Sequence, residues 1–394
     1  MLAAAVLPLH AQKPAASAPG AAPLEPLLPD SSNFVTASLL LASPSDVLYS
    51  CQGHCAIRLQ CPTHDLDYVY TVSSNVDNPN DVISFFLKQG RVSMLAVPTA
   101  DYLGEYQKDG RSVVQYDLNL THHEKQRLWR NLDGEILQRP YAQFNYMGIN
   151  CVSFCLEQLE YAIINGQLRL ENTPAQLNRA DGSLARFYTR RAPWAEFLFM
   201  TFMGTAADRR VSTEGRLAPE LLIETLKLNP IRNDDGTLRP VLFSDQPREL
   251  LPLVKPETTT HLTPMLVFGF LLIAIVVITL LEWKGLRRLA GATDITLLAL
   301  QTLLGLILLQ ATYMANLFEI RWNWYLIVFN PIPLILWLLF RKRRATMKRV
   351  YLCFTIILVA FIACTPLIGQ LDLEHQLITA ALATRTGSNY VSAQ

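Results

Sequence analysis

Charge is scarce in this 394-residue chain: Asp, Glu, Lys and Arg make up 17% of it, and 34 Lys plus Arg against 33 Asp plus Glu leave a formal net charge of +1. Neither sign is in excess, so the balance gives a polyanion no footing and no nucleic-acid partner is expected. No internal repeat is visible. No basic residue precedes the apolar start at 1–11, which reads as the clipped end of a secretory signal, followed to about residue 33 by an Ala-, Pro- and Ser-rich flexible leader. Familiar metal-site spacing is lacking too. Cys51, His54, Cys55, Cys61 and His64 crowd a stretch with strand character, where neighbours point to opposite faces, so no metal is expected, and no cofactor.

What the chain has in abundance is apolar sequence, 51% of all residues, and it is unevenly spread. Four runs, 265–281, 295–314, 324–340 and 350–367, each approach the roughly 20 apolar residues that cross a hydrocarbon core. Lys284, Arg287 and Arg288 lie between the first two, and Arg341, Lys342, Arg343, Arg344, Lys348 and Arg349 between the last two, so both loops are expected to be cytoplasmic. Glu319 and Arg321 fall in the short connection that faces outward. Four crossings then leave both the large N-terminal region and the C-terminal tail outside. The expected layout is a leader (1–33), an extracytoplasmic domain (34–228), a Pro-, Asn- and Asp-rich linker (229–261), a four-helix transmembrane bundle (262–370) and an outer-side tail (371–394).

Within the outer domain, strand character runs on both sides of Gly53, across 67–73 and across 112–120. Thr121-His-His-Glu124 fits a capping box that opens a helix to about Gln138, with His122 and His123 in its first turn as surface groups. Turn-prone Gly148 and Asn150 precede Cys151. From Val152 onward Cys155, Leu156, Leu159, Ala162 and Ile163 recur at helical spacing, so a helix begins at or beside Cys151. A thiol there meets unpaired N–H groups and the positive end of the macrodipole, which favour thiolate. Aromatic residues over 187–222, among them Trp194, Phe197, Phe199 and Phe202, pack beside the core or touch lipid.

Seven cysteines include Cys353 and Cys364 in the last apolar run. The other five, Cys51, Cys55, Cys61, Cys151 and Cys155, are an odd number in a compartment that permits disulfides, so at least one is free. A nucleophilic thiolate needs an imidazole to take and return a proton, and His54 on an early strand with Cys151 at a later helix start supplies the two parts of a papain-like thiol site in permuted order. The competing reading of Cys151 is a core cysteine. Candidates to support the pair are Asn150, Tyr70, Asp67 and Asp208. Arg58 is either a lipid-phosphate contact or half of an ion pair.

Three segments carry a family resemblance. Tyr49-Ser-Cys-Gln-Gly-His54-Cys-Ala-Ile-Arg58, Gly110-Arg-Ser-Val-Val-Gln-Tyr-Asp-Leu-Asn-Leu-Thr121, and the run from Tyr146 to Cys151 resemble, in that order, the Lnb lipoprotein N-acyltransferases. The family pattern reads Tyr-Ser-x-Phe-Gly-His-x-Ala-Ile-Arg, Gly-Arg-x-Val-x-Gln-x-Leu-Asn-Leu-Thr and Asp-Asn-Cys-Thr-Thr-Arg. Gly204-x-x-Ala-Asp208 is similar as well. Here Gln52 stands for Phe, Ile149 for Asp, and Val152-Ser153-Phe154 for Thr-Thr-Arg. The resemblance implies an α+β permuted papain-like (NlpC/P60-like) domain ahead of the bundle, with Cys151 as nucleophile and His54 as general base and acid. It also implies a phospholipid acyl donor, a diacylglyceryl lipoprotein acceptor, and a bacterial inner-membrane location with the N-terminal domain and C-terminal tail periplasmic. A cell-wall peptidase or amidase of the same thiol fold and a non-catalytic membrane-anchored binding protein are the alternatives.

Overall fold

The computed structural model describes residues 35–45, 50–73, 91–138, 141–143, 150–172, 174, 186, 189, 192–204, 219–254, 262–314, 320–368 and 372–392. Its strands are β1 (Thr36–Ala42), β2 (His54–Cys61), β3 (Leu66–Ser73), β4 (Arg91–Pro98), β5 (Val113–Asp117), β6 (Tyr141–Gln143), β7 (Gly166–Leu168), β8 (Ile231–Asn233), β9 (Leu238–Arg239) and β10 (Arg248–Leu251). Seven of them form one antiparallel sheet in the order β10-β5-β1-β2-β3-β4-β6, and β7-β8-β9 form a second.

Strand β2 is central and covered on both sides, so it is buried at nearly every position, Arg58 included. Successive side chains alternate faces. Cys55, Ile57 and Leu59 join the main core against α2 (His122–Gln138), α3 (Cys151–Ala162) and α5 (Pro219–Leu228), whereas Ala56 turns to the opposite face beneath Tyr102. Tyr102 belongs to α1 (Thr99–Lys108). The expected capping box opens α2: Glu124 accepts from Thr121 N–H at 2.7 Å and donates its own N–H to Thr121 Oγ1 at 3.3 Å.

The stretch read as a linker is not one throughout. Its Arg248–Leu251 segment pairs with β5, Arg248 opposite Gln115, and so closes an edge of the sheet. Its Pro and Asp punctuation marks turns between short strands rather than free chain.

The membrane part comprises α6 (Pro264–Trp283), α7 (Arg287–Met314), α8 (Tyr325–Val328), α9 (Ile332–Phe340), α10 (Arg344–Ile368) and α11 (Leu373–Ser392). Three of these, over Pro264–Trp283, Arg287–Tyr313 and Arg344–Leu367, are long and apolar enough to span a bilayer. The third expected run is broken at Asn330-Pro331, because proline supplies no N–H to continue α8. Freed groups are satisfied locally: Asn330 Nδ2 donates to Ile327 O at 2.9 Å, Asn330 Oδ1 accepts from Ile332 N–H at 3.1 Å, and Gln301 Nε2 donates to Val328 O at 2.6 Å. Gly305 lets the break sit close, since a Cβ there would lie 2.6 Å from Asn330 Cα. Gly305→Ala should therefore destabilise the bundle by about 1–3 kcal/mol, seen as a lower midpoint in a thermal-shift assay of the detergent-solubilised protein.

The expected outer tail is corrected. Leu373–Ser392 is a 20-residue helix packed along α10 and α6, a fifth element of the bundle. Its polar residues hid it, and several of them meet partners inside the protein. Arg385 donates to Asp294 at 2.6 Å and to Glu282 at 2.9 Å, and Ser388 Oγ donates to Glu282 at 3.0 Å. Glu282 ends α6 beside the first basic loop, so α11 runs to the end of the bundle that carries that loop, the end expected to be cytoplasmic.

At the opposite end the outer domain is fastened to the bundle. Helix α4 (Pro193–Phe202) docks there, with Thr201 Oγ1 2.7 Å from His375 Nε2 and Asn323 Nδ2 donating to Thr201 O at 2.8 Å. Tyr325 Oη donates to Asp372 at 2.6 Å, Arg186 pairs with the same carboxylate, and the His375 ring stacks on Tyr325 at 3.9 Å. Trp194, Phe197 and Phe202 thus pack on the bundle.

Candidate active site

Helix α3 begins at Cys151, as the sequence periodicity anticipates, and its first turn is held by its own cap. Asn150 Oδ1 accepts from the N–H groups of Val152 and Ser153, both at 2.9 Å, while Ser153 Oγ accepts from Asn150 N–H at 2.9 Å. This reciprocal capping box satisfies orphan donors and fixes the angle at which the sulfur leaves the helix. Ser153 supplies it although the surrounding tripeptide departs from the family pattern. Asn150→Ala should cost about 1 kcal/mol of stability, read from thermal denaturation, with Asn150→Asp retaining most of it.

His54 reaches the same point from the first position of β2. Gly53, at φ +83°, turns the chain into that strand where a Cβ would lie 2.8 Å from Ala42 O, so glycine is required for both reasons. The His54 imidazole lies within hydrogen-bonding reach of the Cys151 sulfur. Its Nε2 is 2.6 Å from Thr71 Oγ1. The β2–β3 register places Thr71 on the His54 face, since Ile57 pairs with Tyr70 and alternation does the rest.

Three thiols meet here. Cys55 and Cys155 are fully buried, Cys151 is partly exposed, and all are free. A hydrogen bond from Cys55 is the strongest influence on Cys151; the charge and hydrogen bond of His54 add to it, and together they outweigh burial and hold the Cys151 thiol well below the ordinary cysteine range. Burial and the adjacent sulfurs push Cys55 well above that range. Cys51 lies apart beside Ala192 and Ala195, and burial raises its thiol to about 12. A partly exposed sulfur whose thiol is lowered beside an imidazole is equipped for nucleophilic attack followed by proton return.

Two family models match the chain: the Lnb N-terminal periplasmic domain over residues 30–181 and the Lnb transmembrane domain (5TMH) over residues 256–394. The chain belongs to the Lnb family. No curated protein and no solved structure matches it.

In this Lnb protein the other candidate residues are distributed as follows. Asn150 stands at the site as the cap. Tyr70 points into the core, where its hydroxyl donates to Asp133 at 2.6 Å and burial raises its phenol. Arg58 is buried and donates to Asp67 through Nε at 2.8 Å and Nη2 at 2.5 Å, and to Gln115 through Nη1 at 2.8 Å. Asp67, further bound by Thr99 and Gln60, is held below the usual carboxylate range because those bonds and the guanidinium outweigh its burial. Arg58 is thus a structural ion pair rather than a phosphate contact, corrected by the partner that β3 brings across, and Asp67 is taken up in that pair and not behind His54. Asp208 lies outside the described residues.

Sequence reading missed Thr71 and Cys55. Thr71 could be found only with the β2–β3 register known. Cys55 was visible as the neighbour of His54, but alternation on a strand argues that neighbours diverge, and only packing of α3 against the core face brings Cys151 back to both.

Proposed function

We propose that this Lnb protein transfers a fatty acyl chain from phospholipid to the α-amine of the lipidated N-terminal cysteine of lipoproteins. The observation that carries this reading is the convergence of His54 and Cys151, whose thiol is held below the ordinary cysteine range, at one end of β2, in an outer domain fastened to a membrane bundle. The strand-borne imidazole and helix-borne thiol fit a permuted papain-like, NlpC/P60-like arrangement on the bacterial inner membrane, facing the periplasm.

The Cys151 thiolate attacks the ester carbonyl of the phospholipid. As the carbon–oxygen bond breaks, the His54 imidazolium gives its proton to the departing alkoxide, and lysophospholipid leaves behind a Cys151 thioester. The acceptor amine then attacks the thioester carbonyl, His54 takes the amine proton, and the thiolate departs as the amide forms. The N-terminal end of α3 favours the oxyanion that develops in both steps, a contribution commonly worth ~3 kcal/mol per well-aimed donor. Thr71 holds the imidazole so that one nitrogen remains directed at sulfur.

The test is direct. Full-length protein in phospholipid vesicles is given a diacylglyceryl lipopeptide, and the product is sequenced by tandem mass spectrometry. An added acyl group on the α-amine, matched by lysophospholipid, supports transfer. Cleavage of muropeptides with the lipopeptide amine left free would replace it with a peptidase, and absence of either product under conditions where Cys151 is alkylated normally would leave a binding protein.

A further inference from the structure

The sulfurs around Cys151 hold more chemistry than nucleophilic attack requires. Cys151 opens α3 and is partly exposed, Cys55 is the second residue of β2 and fully buried, and Cys155 follows one turn along α3, also fully buried. Cys55 lies within hydrogen-bonding reach of both other sulfurs. The domain that carries them matches a periplasmic family model, and the periplasm is a compartment in which disulfides form and persist.

Geometry selects which sulfurs can join. A disulfide needs Cβ atoms roughly 3.8 Å apart. Cys151 and Cys155 stand four residues apart on one helix, which keeps their Cβ atoms about 5–6 Å from each other. Joining them would distort the first turn, which the Asn150–Ser153 capping box fixes. Cys55 meets Cys151 from a different element, so a bond between them closes across the packing of α3 on β2 and asks for no change within the helix. The other two thiols of the outer domain are poorly placed. Cys61 ends β2, roughly 20 Å from Cys55 at ~3.3 Å per residue, and Cys51 packs beside Ala192 and Ala195.

We propose that Cys55 is a resolving cysteine, which closes a reversible disulfide with Cys151 when a peroxide oxidises the site. The Cys151 sulfur attacks one peroxide oxygen, the oxygen–oxygen bond breaks, and hydroxide leaves a sulfenic acid behind. Cys55 then attacks the Cys151 sulfur. The sulfur–oxygen bond breaks, and the Cys55 proton, already directed at Cys151, leaves with the hydroxide as water. The two sulfurs have lost two electrons, and the peroxide has gained them. Cys151 is attacked first because it is the exposed member of the set, and the bond to Cys55 shields it from further, irreversible oxidation. The disulfide also silences the nucleophile until a thiol reductant reopens it. This device depends on the sulfurs and not on the substrate, so it stands apart from the acyl transfer proposed above.

Full-length protein in detergent would be reduced, freed of reductant, treated with hydrogen peroxide, blocked with iodoacetamide and digested without reductant. Tandem mass spectrometry should find Cys151 joined to Cys55, lighter by two hydrogens than the separate peptides, with Cys151 alkylation lost and then restored by dithiothreitol. Cys55→Ser leaves the sulfenic acid unresolved, so Cys151 should advance to sulfinic acid and the share recovered by dithiothreitol should fall about tenfold. Cys155→Ser should cross-link as the wild type does. Buried Cys61, resisting label until denaturant is added, verifies that each variant is folded. A wild-type bond from Cys151 to Cys155 or Cys51, sulfinic acid without a cross-link, a Cys151 that peroxide leaves unchanged, or undiminished recovery in Cys55→Ser would overturn the assignment.

Discussion

Cys151→Ala should take acyl transfer to the detection floor, and His54→Ala should lower it about 10²–10⁴-fold, the usual range for loss of a general acid and base. In the proposed reaction the sulfur forms the covalent bond, so no neighbour replaces it. The imidazole would move a proton in each half-reaction, and it also lowers the Cys151 thiol. Its loss is therefore expected to have a second signature, a shift of Cys151 alkylation to higher pH. In the wild type, a thiol held well below the ordinary range stays ionised as pH falls under the ~8.5 typical of free cysteine, so iodoacetamide should react quickly with Cys151 at pH 7. Cys55→Ala removes the strongest stabilising bond and should move the alkylation profile upward as well, while leaving His54 in place. Alkylation profiles that coincide for wild type, His54→Ala and Cys55→Ala would mean that the three groups do not act together.

Glu124→Ala should destabilise the outer domain by about 3–5 kcal/mol, the range for breaking a buried ion pair from one side. Glu124 is fully buried and accepts from Arg239 at 2.8 and 3.0 Å, from Thr121 N–H at 2.7 Å and from Ile164 N–H at 3.1 Å. Alanine would strand a guanidinium and two backbone donors around a void. Burial opposes ionisation of Glu124, but these bonds outweigh it and lower its folded-state pKa. Its stabilisation is accordingly full above the ordinary glutamate value near ~4.3 and fades as pH falls through the lower folded value. The measurement is labelling of the fully buried Cys55, which reacts only when the domain opens. The variant should be labelled about 10²–10⁴-fold faster at pH 7, and the difference should shrink in acid. Equal labelling rates at pH 7 would show that the pair contributes nothing.

Local pattern carried much of this. Helical spacing after a turn placed the start of α3 at Cys151, and Thr121 with Glu124 announced α2, because capping and periodicity are satisfied by neighbours in sequence. Hydropathy located the spanning helices for the same reason. It failed at α11, where Arg385, Ser388 and His375 are reconciled with a buried setting by groups on α6, α7 and α4. It failed again at Asn330-Pro331, where Gln301 on another helix completes the broken hydrogen bonding.

The candidate-site residues divide along the same line. The sequence by itself determined that a thiol would stand at a helix start, that an imidazole would follow a glycine at a strand start, and that the domain bearing them would be tied to a bilayer. Only the tertiary structure decided that Thr71 holds His54, that Cys55 supports the thiolate, and that Arg58 and Asp67 are spent on each other. Register between strands and the docking of α3 on the sheet are set by the summed burial of many side chains, so no single residue carries that information in advance.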